Sequence, residues 1–311
     1  MTSARPRSNQ VARIAILAIA VLLATAACGP AGSSASPAGD TIQVVATTTV
    51  FADMVQQVGG DAVTVTSLVP KGGVVETFDL TPSDMRAVSD AELIVMNGLG
   101  LDDWLTPVIT DTGIDAPIVR LAENLEGVRY LGGEGDEAVN PHLWLNVKYA
   151  INYVERIRDA LVALEPTRAE TIHASAASYV ARLEALDAWV GEQLGPIPPK
   201  DRVIVSFHEA FPYFAEAYGL TIVGTIVDAP GQDPSAGEIA ALVNAIKAAG
   251  AKAVFGEDQF SPELVETVAE EAGVVVESDL YNDSLGDPPV DTYEGLIRWD
   301  VEKVVAALTA P

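Results

Sequence analysis

Between residues 167 and 194, apolar side chains recur at helical intervals (Ile172, Ala176, Tyr179, Leu183, Leu186, Val190), with no proline or glycine until Gly191. A helix of that length runs about 40 Å at 1.5 Å per residue, more than one small lobe needs. Gly195-Pro196-Ile197-Pro198-Pro199 ends it. On both sides of it the pattern alternates between strand and helix. Before it, residues 42–46, 62–69, 93–96 and 118–121 read as strands. Helices fall at 50–58, around Trp104 and at 148–164. Thr81-Pro82-Ser83-Asp84 is a further helix start, with an N-cap, a proline at the first helical position and an early acid. After it, strands at 203–206, 221–226, 253–255 and 274–276 alternate with helices at 211–218, 235–249, 262–272 and 293–308. The pattern predicts an α/β fold of two parallel-sheet lobes, residues 41–165 and 196–311, joined by the long helix at 166–195. Open α/β sheets bind ligands beyond the carboxyl ends of their strands, so two such lobes would share one cleft.

The chain is 49% hydrophobic, enough for a substantial core, and its formal net charge of −26 argues against a nucleic-acid partner. The N-terminus carries Arg5, Arg7 and Arg13, then an uncharged Leu/Ile/Ala-rich stretch, residues 14–27. That stretch is short for a membrane span and suits a signal peptide. It ends in Thr25-Ala26-Ala27-Cys28, at the single cysteine of the chain. A lone cysteine has no internal disulfide partner. The segment resembles a bacterial lipobox, with Thr25 where leucine is usual. We therefore expect a lipoprotein signal peptide at 1–27, lipidation of Cys28 and a Gly/Ser/Ala/Pro-rich tether at 28–40.

The chain has three histidines. His173, in the long helix, reads as a surface residue. His208 follows the strand at 203–206, and His142 lies in the irregular segment Asn140-Pro141-His142-Leu143-Trp144-Leu145. Glu76 and Asp283 also stand in loops past strand ends. Any one of these has an ordinary structural explanation. Together they could meet in one cleft, where imidazole and carboxylate donors suit Zn2+, Mn2+ or Fe2+. Neither H-E-x-x-H nor G-x-S-x-G occurs, so no familiar hydrolase motif competes.

From about Thr41 onward the chain resembles the solute-binding proteins of bacterial zinc and manganese ABC importers (cluster A-I, the ZnuA/PsaA/TroA-like group). The resemblance rests on Leu68-Val69-Pro70, Thr81-Pro82-Ser83-Asp84, Asn97-Gly98-Leu99-Gly100-Leu101 with Trp104, and Asn140-Pro141-His142-Leu143-Trp144-Leu145. It continues in Phe207-His208-Glu209-Ala210-Phe211 with Tyr213-Phe214, in Glu257-Asp258-Gln259-Phe260-Ser261-Pro262, and in Asn282-Asp283-Ser284-Leu285. It implies two lobes on a rigid backbone helix, with a metal site in the cleft between them. It also implies His142, His208 and Asp283 as metal ligands. The first ligand of the family is normally a histidine; here Glu76 stands in its place. Glutamate can also ligate, and the added oxygen pushes slightly towards Mn2+, whereas His208 matches zinc-type members. The long histidine-rich loop of many zinc-type members is absent, since residues 123–139 contain no histidine.

The resemblance implies a non-catalytic, monomeric carrier, held outside the cytoplasmic membrane by its lipid, that hands a divalent metal to an importer permease. Two other readings of the residues stay open. One is a secreted metalloenzyme with an open metal position. The other is an adhesin or carrier of another solute, in which Glu76 has ended metal binding.

Overall fold

The computed structural model describes Met1, residues 41–132 and residues 138–310. The expected signal peptide, Cys28 and the tether lie outside the described residues, as do residues 133–137.

The first half builds one parallel sheet. Its strands β1 (Ile42–Ala46), β2 (Val63–Ser67), β3 (Leu93–Met96) and β4 (Ile118–Arg120) lie in the order β2-β1-β3-β4. The inner strands β1 and β3 are almost continuously apolar and buried, as sheets covered on both faces require. Helix α1 (Thr49–Gly59) starts on the side-chain cap of Thr48 and buries Val50, Phe51, Met54, Val55 and Val58. Helix α2 (Pro82–Asp90) starts on a capping box, in which Thr81 Oγ1 accepts from Asp84 N and the Asp84 carboxylate accepts from Thr81 N. Helix α3 (Leu105–Thr112) begins just after Trp104 and closes on Gly113 in the left-handed region, where glycine fits without strain. Helix α4 is Val147–Leu164.

The long helix α5 (Ala169–Leu194) has 26 residues. It buries Ile172, Ala176, Tyr179, Leu183, Leu186, Val190 and Leu194, which are the periodic positions and one more. The opposite side is polar and includes His173, which is exposed.

The second half contains β5 (Val203–Ser206) parallel to β6 (Thr221–Thr225), and β7 (Ala253–Glu257) parallel to β8 (Val275–Leu280). Every residue of β5 and β7 is buried, and the two strands lie side by side at the centre of this lobe. They belong to separate ribbons, each with a register shift, between Ile204 and Ser206 and between Phe255 and Glu257. Such irregularities redirect the chain near sites; here they precede His208 and end at Glu257. Helices α6 (Pro212–Tyr218), α7 (Ala236–Ala249) and α8 (Glu263–Ala272) follow the strands. The last helix, α9 (Tyr293–Thr309), lies along α5 and reaches α1.

One continuous core runs from the first sheet through α4 and α5 to α9, with Trp144, Tyr153, Tyr179 and Tyr293 among its largest buried side chains. A second, smaller core fills the second lobe between β5, β7, α7 and α8.

Candidate metal centre

Four loops bring one donor each to the cleft. The first follows β2. Its chain continues the ladder, with Leu68 N donating to Ala46 O and Val69 N to Thr47 O, and then turns. Val75 is buried, and its carbonyl accepts from Trp104 Nε1 at 2.9 Å. That anchor presents Glu76 to the cleft. The Glu76 side chain is 21% exposed, more than the other three donors, and its Oε2 is buried without a hydrogen-bond partner.

His142 stands just before the buried turn Leu143–Leu145. Asn140 Oδ1 accepts from His142 N at 3.0 Å and lies 3.2 Å from His142 Nδ1, which leaves Nε2 facing the cleft. The preceding Pro141 carbonyl accepts from Asn97 Nδ2, and Asn97 Oδ1 accepts from the Tyr153 hydroxyl. A chain of buried polar groups thus fixes this loop.

His208 follows β5, its carbonyl accepting from Ser206 Oγ. Its Nδ1 lies 2.8 and 2.9 Å from the two oxygens of Glu257. A carboxylate only accepts, so Nδ1 donates, and once the ring is neutral Nε2 is the nitrogen with the free lone pair.

Asp283 follows β8 and is completely buried. Gln259 Nε2 donates to its Oδ2 at 3.3 Å, while Oδ1 has no hydrogen-bond partner. Although it belongs to the second half in chain order, its loop is bonded to the first. Gly72 N donates to Ser284 Oγ, Leu285 N to Thr49 Oγ1, Tyr293 N to Asp53 Oδ2, and Trp144 Nε1 to the Asn282 carbonyl.

One donor atom from each of Glu76, His142, His208 and Asp283 lies within 4.8 Å of the others. The two Nε2 atoms are 3.4 Å apart, Asp283 Oδ1 is 3.6 Å from His142 Nε2, and Glu76 Oε1 is 3.8 Å from His208 Nε2. Ligands placed tetrahedrally about 2.1 Å from an ion would be about 3.4 Å apart. The spacing therefore fits a shared cation better than direct bonds among the side chains. All four residues singled out from the sequence come together; His173 is not among them.

The electrostatics agree. Burial raises the pKa of Asp283 well above its ordinary value, and Glu76 raises it further. Burial likewise raises Glu76. Burial and the neighbouring His208 push His142 well down. For His208, burial lowers the value, but Glu257, Asp283 and Glu76 outweigh it and bring it to about 9. A divalent cation would offset both the burial of the acids and their mutual repulsion. The approach is a cavity of about 280 Å3, bordered by Glu76, Leu99, Pro141, Glu209 and Asp228.

Glu257, Asn140, Asn282 and Gln259, which hold the His142, His208 and Asp283 side chains, are not distinguished in the sequence by residue type alone. The usable signal was positional: Glu257 ends a strand beside the one that leads to His208.

A two-lobed α/β protein with imidazole and carboxylate donors converging in its cleft is built as a metal-binding solute receptor. The chain belongs to the family of zinc-uptake complex component A, periplasmic (ZnuA), whose model matches residues 44–307. The manganese-binding lipoprotein MntA of Halalkalibacterium halodurans is 31% identical over 291 residues, covering 93% of this chain and 96% of that protein. The iron ABC transporter substrate-binding lipoprotein MtsA of Streptococcus pyogenes is 28% identical, covering 91% and 93%. Among solved structures, the periplasmic zinc-binding protein TroA of Treponema pallidum aligns with a TM-score of 0.82 at 26% identity, over 87% of this chain and all of that one.

Proposed function

We propose that this protein captures a divalent transition metal, Zn2+, Mn2+ or Fe2+, with Glu76, His142, His208 and Asp283, and delivers it to the permease of an ABC importer. The observation that carries the reading is the convergence of four donors from four distant loops, with two histidine nitrogens 3.4 Å apart. Relatives named for manganese, iron and zinc support a transition metal and leave its identity to the donor set. Two nitrogens and two carboxylates suit each of these ions.

The role is that of a non-catalytic carrier. Four protein donors around one ion leave no position for a reacting water. Relatives named as lipoproteins support the tether: Cys28, lipidated after removal of residues 1–27, would hold a monomeric carrier outside the cytoplasmic membrane, with residues 28–40 as its leash.

Metal titration of the purified, chelator-stripped protein tests the reading. A cation that binds only the folded state stabilises it by mass action, about 2.7 kcal/mol at a hundred times Kd. The melting temperature rises with Zn2+ or Mn2+ if the reading holds; an unchanged melting curve at saturating concentrations of both removes it.

A further inference from the structure

Resting on that reading, we propose that Glu257 is a positioning residue which aims His208 at the metal, strengthens its ring as a donor and so biases the site towards nitrogen-preferring cations. Glu257 is 1% exposed and ends β7, beside the strand that leads to His208. Both its oxygens face the ring: Oε1 is 2.9 Å and Oε2 2.8 Å from Nδ1. Oε1 also accepts from the backbone N of His208 at 3.3 Å. Oε2 accepts from Asn282 Nδ2 at 2.8 Å.

Asn282 is itself committed on every side. Its Oδ1 accepts from Gln259 Nε2 at 2.8 Å and from Asp283 N at 2.6 Å, and its carbonyl accepts from Trp144 Nε1. It can neither rotate away from Glu257 nor be replaced there by water without breaking those bonds. Phe260 stacks on Phe207 at 4.4 Å and meets the His208 ring edge-on at 6.0 Å, closing the other side of the imidazole. Among the described residues no lysine or arginine pairs with Glu257; its ionic partner is His208. An acid buried this deeply without a cationic partner of its own is costly. A ring whose Nδ1–H it binds, and whose Nε2 faces a cation, gives it a use.

His142 supplies the internal contrast. Its Nδ1 faces the neutral Asn140 amide oxygen at 3.2 Å rather than a carboxylate. A charged acceptor makes the shorter and stronger bond, and it raises the basicity of the ligating ring more. His208 is therefore the stronger nitrogen donor of the pair. It offsets the oxygen character that Glu76 brings. Imidazole strength matters more to Zn2+ than to Mn2+, so Glu257 should raise zinc affinity more than manganese affinity.

The test compares Zn2+ and Mn2+ binding by calorimetry for the parent and for Glu257→Gln, together with the melting temperature of each metal-free protein. The substitution keeps the shape and removes the charge. Zn2+ affinity should fall about 10- to 100-fold, the usual range for an outer partner of a metal-bound histidine, and Mn2+ affinity distinctly less. Equal losses for both ions, or none, overturn the proposal, the first by reducing Glu257 to a structural brace. Should Glu257→Gln not fold, Glu257→Asp, one methylene shorter, takes its place with the same two outcomes. Failure of the parent to bind either ion overturns the carrier reading and this inference with it, whereas a parent that binds and a variant that matches it overturns this inference alone.

Discussion

The two halves of the chain are built differently and meet at the same site. The first half forms one sheet of four hydrogen-bonded strands on a core continuous with the long helix. The second divides its strands into two ribbons over a smaller core of its own. Yet Asp283, a product of the second half, is held by bonds to Thr49, Asp53, Gly72 and Trp144 of the first, through residues 282–293. His208 is braced within its own half by Glu257 and Ser206. Position along the chain and membership of a framework are therefore separate properties. Glu76, His142 and Asp283 are tied to the first half's framework, and the His208 ring reaches in from the second.

The largest effect should come from the donor that reaches in. His208→Ala should weaken Zn2+ or Mn2+ binding by at least about 100-fold, beyond the loss expected for an outer partner. A calorimetric titration within a few-fold of the parent would show that His208 is not a ligand.

Proton competition comes next. His208, raised to about 9, must shed its Nε2 proton to ligate, whereas His142 is pushed down and already neutral. Affinity should therefore rise about tenfold per pH unit from 7 towards 9 and then level off. The stability linkage runs the opposite way. A raised histidine stabilises the metal-free fold fully below its ordinary 6.5, and that contribution is lost as pH rises through about 9. The metal-induced shift in melting temperature should consequently widen between pH 7 and 9. A constant shift over that range would contradict ligation by His208.

The attachment of the Asp283 loop to the first half can be broken without touching the ion. Thr49→Val removes the hydroxyl that accepts from Leu285 N at 2.7 Å and keeps the branched shape. Loss of one hydrogen bond worth about 1 kcal/mol corresponds to roughly fivefold weaker metal binding. An unchanged Kd would mean that Asp283 needs no support from across the cleft. The smallest change is expected for Glu76→His, which exchanges one donor for another of similar reach. It should keep binding within about threefold while favouring Zn2+ over Mn2+; loss of all binding in the titration would show that the pocket has been reshaped around glutamate.

Much of this was legible in the sequence because the signals were local. The buried stripe of α5 follows from its 3.6-residue period, and α2 from Thr81-Pro82-Ser83-Asp84. Three of the four candidate donors, Glu76, His208 and Asp283, lie in loops past strand ends, and His142 stands in the Asn140-Pro141-His142-Leu143-Trp144-Leu145 segment that carries the family resemblance. What stayed hidden depends on contacts between distant segments. Strand β7 runs to Glu257 rather than stopping at Phe255, so an acid that looked like a loop residue is a buried bond acceptor. Strand β8 extends to Leu280, although its Glu277 and Asp279 break the apolar pattern; Lys303 of α9 pairs with both. No periodicity announces that Thr49 will bond to Leu285, since 236 residues separate them.

Anomalous diffraction from crystals of the metal-loaded protein separates one shared ion from four unconnected side chains. A four-donor site requires one strong peak in the cleft, about 2.0–2.2 Å from Nε2 of His142, Nε2 of His208 and a carboxylate oxygen of both Glu76 and Asp283. A peak bound elsewhere, or one in the cleft that leaves Glu76 or His208 unbound, would contradict it.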